Sequence, residues 1–178
     1  MSTLEYKAPP RTIMEVFQML PEGTLAELIS ASLYMSPSPT SFHQRVVRKL
    51  AFSLSEFIEK NNLGELFFAP FDVYLDEHSN VVQPDIVFVS KQKTHLIQRS
   101  GLHGAPDFVI EILSSGNSRH DKVIKKELYE RFGIAEYWIV DPETKDTTGY
   151  VLKNGRYEEI KNTPAEINST LFNHSFKF

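Results

Sequence analysis

Residues 106–114 read PDFVIEILS. An acid, Asp107, precedes an alternating apolar run, and Glu111 sits inside the run where an apolar residue would be the safer choice. In a strand, residues two apart share a face. Val109, Glu111 and Leu113 are therefore predicted on one face, and Phe108, Ile110 and Ile112 on the other. Glu111 falls near the carboxyl end of this strand, with SSGNS just beyond it. Loops at the carboxyl ends of sheet strands commonly hold ligands. A buried carboxylate is costly unless a cation or a donor meets it. A divalent cation shared with a second carboxylate would remove most of that cost.

Working outward, residues 83–90 read QPDIVFVS and repeat the Pro-Asp pattern. Asp85, on another strand, is the obvious second carboxylate. Past the Glu111 strand, Asp121, Lys125, Leu128 and Phe132 recur at three- and four-residue spacing and share a helix face. Leu128 and Phe132 must point at the sheet, so Lys125 leans that way and wants an anion. The structural alternatives are an ion pair for Glu111, a turn role for Asp85, and a solvated lysine paired with Asp121.

The remaining pattern supplies the frame. Thr12–Leu20 is a short amphipathic helix stopped by Pro21. Ala26–Met35 reads as one strand. Ser41–Asn62 is the strongest helix, with Val47, Leu50, Leu54, Phe57 and Ile58 at helical spacing, a cap at Thr40 or Ser41, and a stop at Gly64. Glu65–Leu75 and Val81–Val89 each read as one strand. Residues 90–104 form a loop with a helical turn. Ser118–Phe132 is a helix capped by Asn117 or Ser118 and closed by Gly133. Glu136–Val140 is a strand, and Tyr150–Ile160 a hairpin turning at Asn154-Gly155. The closing LFNHSFKF packs back on the body. The order predicts an α/β (α+β) chain: a mixed sheet flanked by helices, with an added N-terminal helix and strand and a C-terminal hairpin.

The 178 residues suit one domain, 1–178. The net charge of −4 argues against a protein coated in nucleic acid but leaves room for a local basic groove. There are no cysteines, so disulfides and thiolate metal sites are excluded. Any metal would be held by Asp, Glu or His, which favours Mg²⁺ or Mn²⁺. No apolar run suits a membrane span, and the N-terminus lacks a signal-peptide core, so the expectation is a cytoplasmic protein.

These stretches resemble the PD-(D/E)-x-K nuclease superfamily. The Uma-type family of restriction endonucleases, formerly a domain of unknown function, is the nearest match. The resemblance rests on AELISASLYMSPSPTSFHQ, VQPDIVFVS, APDFVIEILSSGNSRHDKVIKKELYERFGIAEYWIVDP and the closing hairpin. It departs from the superfamily at Leu113, where a lysine would follow the acid by two residues. In the Uma-type family that lysine has moved to the following helix, a position Lys125 fits. The resemblance implies a restriction-endonuclease-like fold and Mg²⁺- or Mn²⁺-dependent hydrolysis of DNA. Asp85, Glu111 and Lys125 would be catalytic, with Asp85 and Glu111 on the metal. Glu27 and His43 also match family positions and are possible additional site residues. A salt bridge for Glu27 and an ordinary hydrogen-bonded role for His43 compete with that. Arg45, Arg48 and Lys49, and Arg119, Lys122 and Lys126, are candidate phosphate contacts. Tyr137, Trp138 and Asp141 are expected to be structural. Exposed aromatics make a homodimer plausible. The competing functions are a catalytically silent nuclease-fold module that binds nucleic acid or a protein, and a hydrolase of small phosphate esters.

Overall fold

A computed structural model describes residues 9–114, 120–160 and 163–178. Helix α1 spans Ile13–Gln18, with Thr12 accepting from the Glu15 amide at its N-terminus. Strands β1 (Ala26–Ile29) and β2 (Ser32–Met35) precede the long helix α2 (Ser41–Asn61). Six strands follow: β3 (Gly64–Phe68), β4 (Val73–Tyr74), β5 (Val81–Val82), β6 (Ile86–Ser90), β7 (Ile97–Gln98) and β8 (Gly101–His103). Strand β9 (Phe108–Ile112) carries Glu111. A π-helical stretch, His120–Lys125, runs into α3 (Lys126–Arg131). The chain closes with β10 (Glu136–Val140), β11 (Thr147–Lys153), β12 (Arg156–Ile160), β13 (Glu166–Ser169) and β14 (His174–Lys177).

These strands form two mixed sheets and a small ribbon. One sheet runs β2-β1-β5-β4-β8-β7, the other β12-β11-β10-β9-β6-β3, and β13 pairs with β14. Within the second sheet β9 and β10 are parallel, while β6 and β9 are antiparallel. The mixed α+β architecture agrees with the expectation, but one sheet has become two.

Three strands predicted as single runs are broken, for local reasons. Ala26–Met35 is a hairpin, turning at Ser30 and Ala31, which both take positive φ (48° and 61°). The Ser30 amide donates to Asn80 Oδ1, and the Ala31 amide to the Ser79 carbonyl. Glu65–Leu75 breaks at Ala69-Pro70, and Val81–Val89 breaks at Gln83-Pro84. Proline has no N–H for the ladder, so each run stops there. The chain then passes from one sheet to the other. The 90–104 segment holds the expected turn, of 3₁₀ type at Lys91–Leu96, and also the β7–β8 hairpin.

The face assignment around Glu111 holds. Phe108, Ile110 and Ile112 join Trp138 and Val140 beneath α2, against Leu50, Leu54 and Ile58. Val109 and Leu113 join Val87, Tyr137 and Ile139 on the opposite face, packed with Leu128 and with Ile29, Val73 and Val82 of the first sheet. The buried stripe of α2 is His43, Val46, Leu50, Leu54 and Ile58, with Val47 and Phe57 partly buried at its flanks. Thr40 caps this helix, and Asn62, not Gly64, takes the left-handed conformation at its end. Asn154 and Gly155 turn the β11–β12 hairpin with positive φ at both positions. The tail packs back through Ile167 and Phe176. The predicted caps Asn117 and Ser118 lie outside the described residues.

Candidate active site

The two sheets and the helical segment meet at a buried cluster of charge. From β9, Glu111 Oε1 accepts from Lys125 Nζ at 2.8 Å and from Tyr129 Oη at 2.6 Å. Lys125 also reaches Glu27 Oε1, on the other sheet, at 2.8 Å. It lies 3.6 Å from Asp121 one turn earlier. Glu27 Oε1 takes a further bond, 2.8 Å, from the Gln83 backbone amide. His120 Nε2 approaches Glu27 Oε2 at 3.4 Å, a long contact. Its ring rests on Tyr34.

Asp85 stands at the edge of this cluster. In the antiparallel register Ile86 faces Ile110, so Asp85 lies one step beyond that pair, beside Glu111. Its Oδ2 accepts from the Ile112 amide at 2.7 Å and lies 3.0 Å from His43 Nε2. A carboxylate only accepts, so Nε2 is the donor. His43 Nδ1 is buried without a partner among the described residues. The first turn of α2 thereby orients Asp85.

Three carboxylates, Glu27, Glu111 and Asp121, surround one ammonium, with Asp85 at the edge, and the proton affinities of the three diverge. Burial pushes Glu111 well above the usual carboxylate range; Lys125 opposes this, and the charges of Asp121, Asp85 and Glu27 add to it. Burial likewise raises Asp121 against the pull of Lys125. Burial alone would raise Glu27 too, but Lys125, His120 and the Gln83 amide reverse it and hold Glu27 at about 2. Burial alone would lower Lys125; Glu111, Glu27 and Asp121 outweigh that and push its ammonium well above its ordinary value.

Asp85, Glu111, Lys125, Glu27 and His43 are thus contiguous in space. Four neighbours escaped the sequence reading as site residues: Asp121, Tyr129, His120 and the Gln83 amide. Tyr129 could have been found, because it follows Lys125 by one helical turn. Asp107, from the second Pro-Asp pair, accepts from the Ser90 amide and pairs with Lys93 at 2.9 Å, so it ties down a loop. Asp141 accepts from the Glu143 and Thr144 amides in a turn. Tyr137 and Trp138 are fully buried. Lys126 sits over the Tyr150 ring, and Arg119 lies outside the described residues.

The donor set is hard oxygen with an excess of negative charge, which suits a cation such as Mg²⁺ or Mn²⁺. Among the described residues, no three Asp, Glu or His side chains are arranged around one metal-sized point. A metal here would rest on one or two carboxylates and keep several waters, the usual Mg²⁺ arrangement. No helix among the described residues is long and apolar enough to cross a membrane.

A crystal structure described as "a putative nuclease belonging to DUF820", from Anabaena variabilis, matches with a TM-score of 0.72 and 18% identity, over 92% of this chain and 91% of that one. No curated protein matches. A family model, Uma2, described as "Putative restriction endonuclease", matches residues 14–176. The chain belongs to the Uma2 family of nuclease-fold proteins.

Proposed function

We propose that this protein is a divalent-metal-dependent endonuclease that hydrolyses DNA phosphodiester bonds. The observation that carries the proposal is Lys125, which reaches Glu111 from a helix at 2.8 Å and so stands in for the lysine that Leu113 lacks. Asp85 and Glu111 are the metal carboxylates, and Glu27 is the third acid of the cluster. The bound cation would acidify a water and stabilise charge on the phosphoryl oxygens. The Lys125 ammonium contributes positive charge beside the reacting phosphate and orients the attacking water. Tyr129 fixes the Glu111 carboxylate, and His43 fixes that of Asp85. Membership of a family described as restriction endonucleases supports a nucleic-acid substrate.

A second reading has an observation of its own. Lys125 already bridges Glu27 and Glu111, as in a self-contained structural cluster. On that reading the protein is a silent nuclease-fold module that binds nucleic acid or a partner.

Calorimetric titration with Mg²⁺ and Mn²⁺, followed by plasmid cleavage, separates the two. The nuclease reading expects metal binding by the wild type and its loss in folded Asp85→Ala and Glu111→Ala proteins. It also expects cleavage that Lys125→Ala abolishes without abolishing metal binding. Absence of metal binding with and without DNA, with the variants losing stability only, would leave the silent module.

A further inference from the structure

The outer face of α2 carries an arrangement that the acid cluster does not use. Phe52 is 74% exposed and Phe42 is 53% exposed. They bracket Arg45, Arg48 and Lys49, all exposed. Residues 42, 45, 49 and 52 follow helical spacing, so they form one stripe. At 1.5 Å of rise per residue the two rings are separated by about 15 Å along the axis. Lys177 of β14 joins the stripe, lining a groove of about 470 Å³ with Arg48, Lys49, Phe52 and Phe178. A second groove, of about 280 Å³, runs between Phe42, Arg45 and the loop after β10.

Charge decides what this face can hold. The chain is acidic overall, at −4. Yet Arg45, Arg48, Lys49 and Lys177 make no ion pair among the described residues. Arg45 instead lies over the Phe42 ring, at 5.5 Å from its centre. One acid, Glu143, shares the second groove with Phe42, Arg45, Arg48 and Lys49, and a further cation, Lys145, lines it too, while Glu56 follows Phe52 by one turn. Cations without ion pairs, flanked by exposed rings, suit a strand whose phosphates meet the cations and whose bases stack on the rings. A duplex keeps its bases stacked on one another and offers nothing to the phenylalanines.

We infer that the outer face of α2 is a binding track for single-stranded nucleic acid, with Phe42 and Phe52 as stacking platforms and Arg45, Arg48, Lys49 and Lys177 as phosphate contacts. It rests on the nuclease reading for its biological sense, since the substrate would then carry an unpaired segment. It does not rest on that reading for its physics.

The test is fluorescence anisotropy of full-length protein in EDTA, with a fluorescein-labelled oligo-dT strand and a duplex of equal length. Phe52→Ala should weaken oligo-dT binding about 5-fold or more and leave duplex binding unchanged. Phe52 is exposed, so this variant should fold normally. Arg45→Glu with Lys49→Glu should weaken binding strongly and flatten its salt dependence by about 0.7 per lost phosphate contact. Oligo-dT binding that is absent, or indifferent to both Phe42→Ala and Phe52→Ala, overturns the track. So does a wild-type dimer in sedimentation that Phe52→Ala dissolves, because the stripe would then be covered by a second copy. A plasmid assay run alongside keeps the two claims apart. Cleavage without a phenylalanine effect on binding sinks the track alone, and a phenylalanine effect without cleavage sinks the nuclease reading alone.

Discussion

Two buried glutamates lie on neighbouring parallel strands and are treated in opposite ways. Glu136 opens β10 and faces the α2 side of the sheet, with Trp138 and Val140. Its Oε1 accepts from Trp138 Nε1 at 2.6 Å, and its Oε2 from Thr170 Oγ1 at 2.9 Å and the Leu171 amide at 2.8 Å. Every donor is neutral, and the bonds stitch the C-terminal segment to the sheet. Glu111, on β9, faces the other way and meets a shared lysine, a tyrosine and three further carboxylates. A carboxylate with both oxygens satisfied by neutral donors is cement. A carboxylate in a cluster with too little positive charge has something left to bind. Burial alone does not mark a site; the uncompensated charge does.

The hardest blow to this contrast is to remove the lysine. Lys125→Met leaves Glu27 and Glu111 buried without their cation. Breaking a buried pair in this way costs about 3–5 kcal/mol. We expect that loss in urea unfolding at neutral pH, with cleavage abolished in whatever protein remains folded. Partial recovery should follow as pH falls toward the ordinary carboxylate pKa, because the buried acids then take up protons. A loss under about 1 kcal/mol at neutral pH would mean that the acids need no cation, and Glu111 would look more like Glu136.

Next in size is the matched pair of amide substitutions. Glu111→Gln should lower metal-dependent cleavage by about 10²–10³-fold or more, the scale of losing one electrostatic stabiliser of a transition state. Glu136→Gln should leave cleavage within about twofold of wild type while costing about 1–3 kcal/mol, since its amide group would face a donor and leave it unsatisfied. Equal effects of the two on cleavage would erase the distinction.

A pH series sharpens the comparison further. Glu111 and Asp121 are raised, so the folded protein holds protons that the unfolded chain has already lost. The stability they contribute is fully present below their unfolded values and is lost as pH rises toward the raised ones. Glu27 has the opposite sign: its contribution is present above its unfolded value of 4.5 and is lost as pH falls toward about 2. As pH rises above the ordinary carboxylate range, metal-free protein should therefore lose stability, by at most about 1.4 kcal/mol per unit for each proton. Glu111→Gln should flatten this slope, and saturating Mg²⁺ should do so in the wild type. Thermal melts across the range, with EDTA or Mg²⁺, read it directly.

How much of this was legible follows from which interactions are local. The two faces of β9 could be assigned because a strand has period two and Glu111 interrupts a clear alternation. Lys125 could be aimed at the sheet because Leu128 and Phe132 fix the helix face. The sheet change at Pro70 and Pro84 was harder, since each proline sits inside a run that otherwise reads as one strand. The Ser30-Ala31 turn carries neither glycine nor asparagine, the usual residues for positive φ. It is held by Asn80 and Ser79, some fifty residues away, and no local pattern reports that. Glu136 was hidden for the same reason. Its partners Thr170 and Leu171 come from a distant segment, and EYWIV simply reads as a strand.

The smallest expected effect is the most discriminating, because it removes one hydrogen bond from each glutamate with little change of shape. Tyr129→Phe takes the hydroxyl from Glu111 Oε1, and Thr170→Val takes one from Glu136 Oε2. Each should cost about 1–2 kcal/mol of stability, the scale of a single bond to a charged acceptor. If Glu111 works only as cement, the two variants will behave alike. If it holds a metal, Tyr129→Phe loosens a carboxylate that must be held in place, so cleavage should fall several-fold and metal affinity should weaken. Thr170→Val should change neither. The separation lies in the ratio of activity loss to stability loss, which a purely structural glutamate cannot make differ between the two sites.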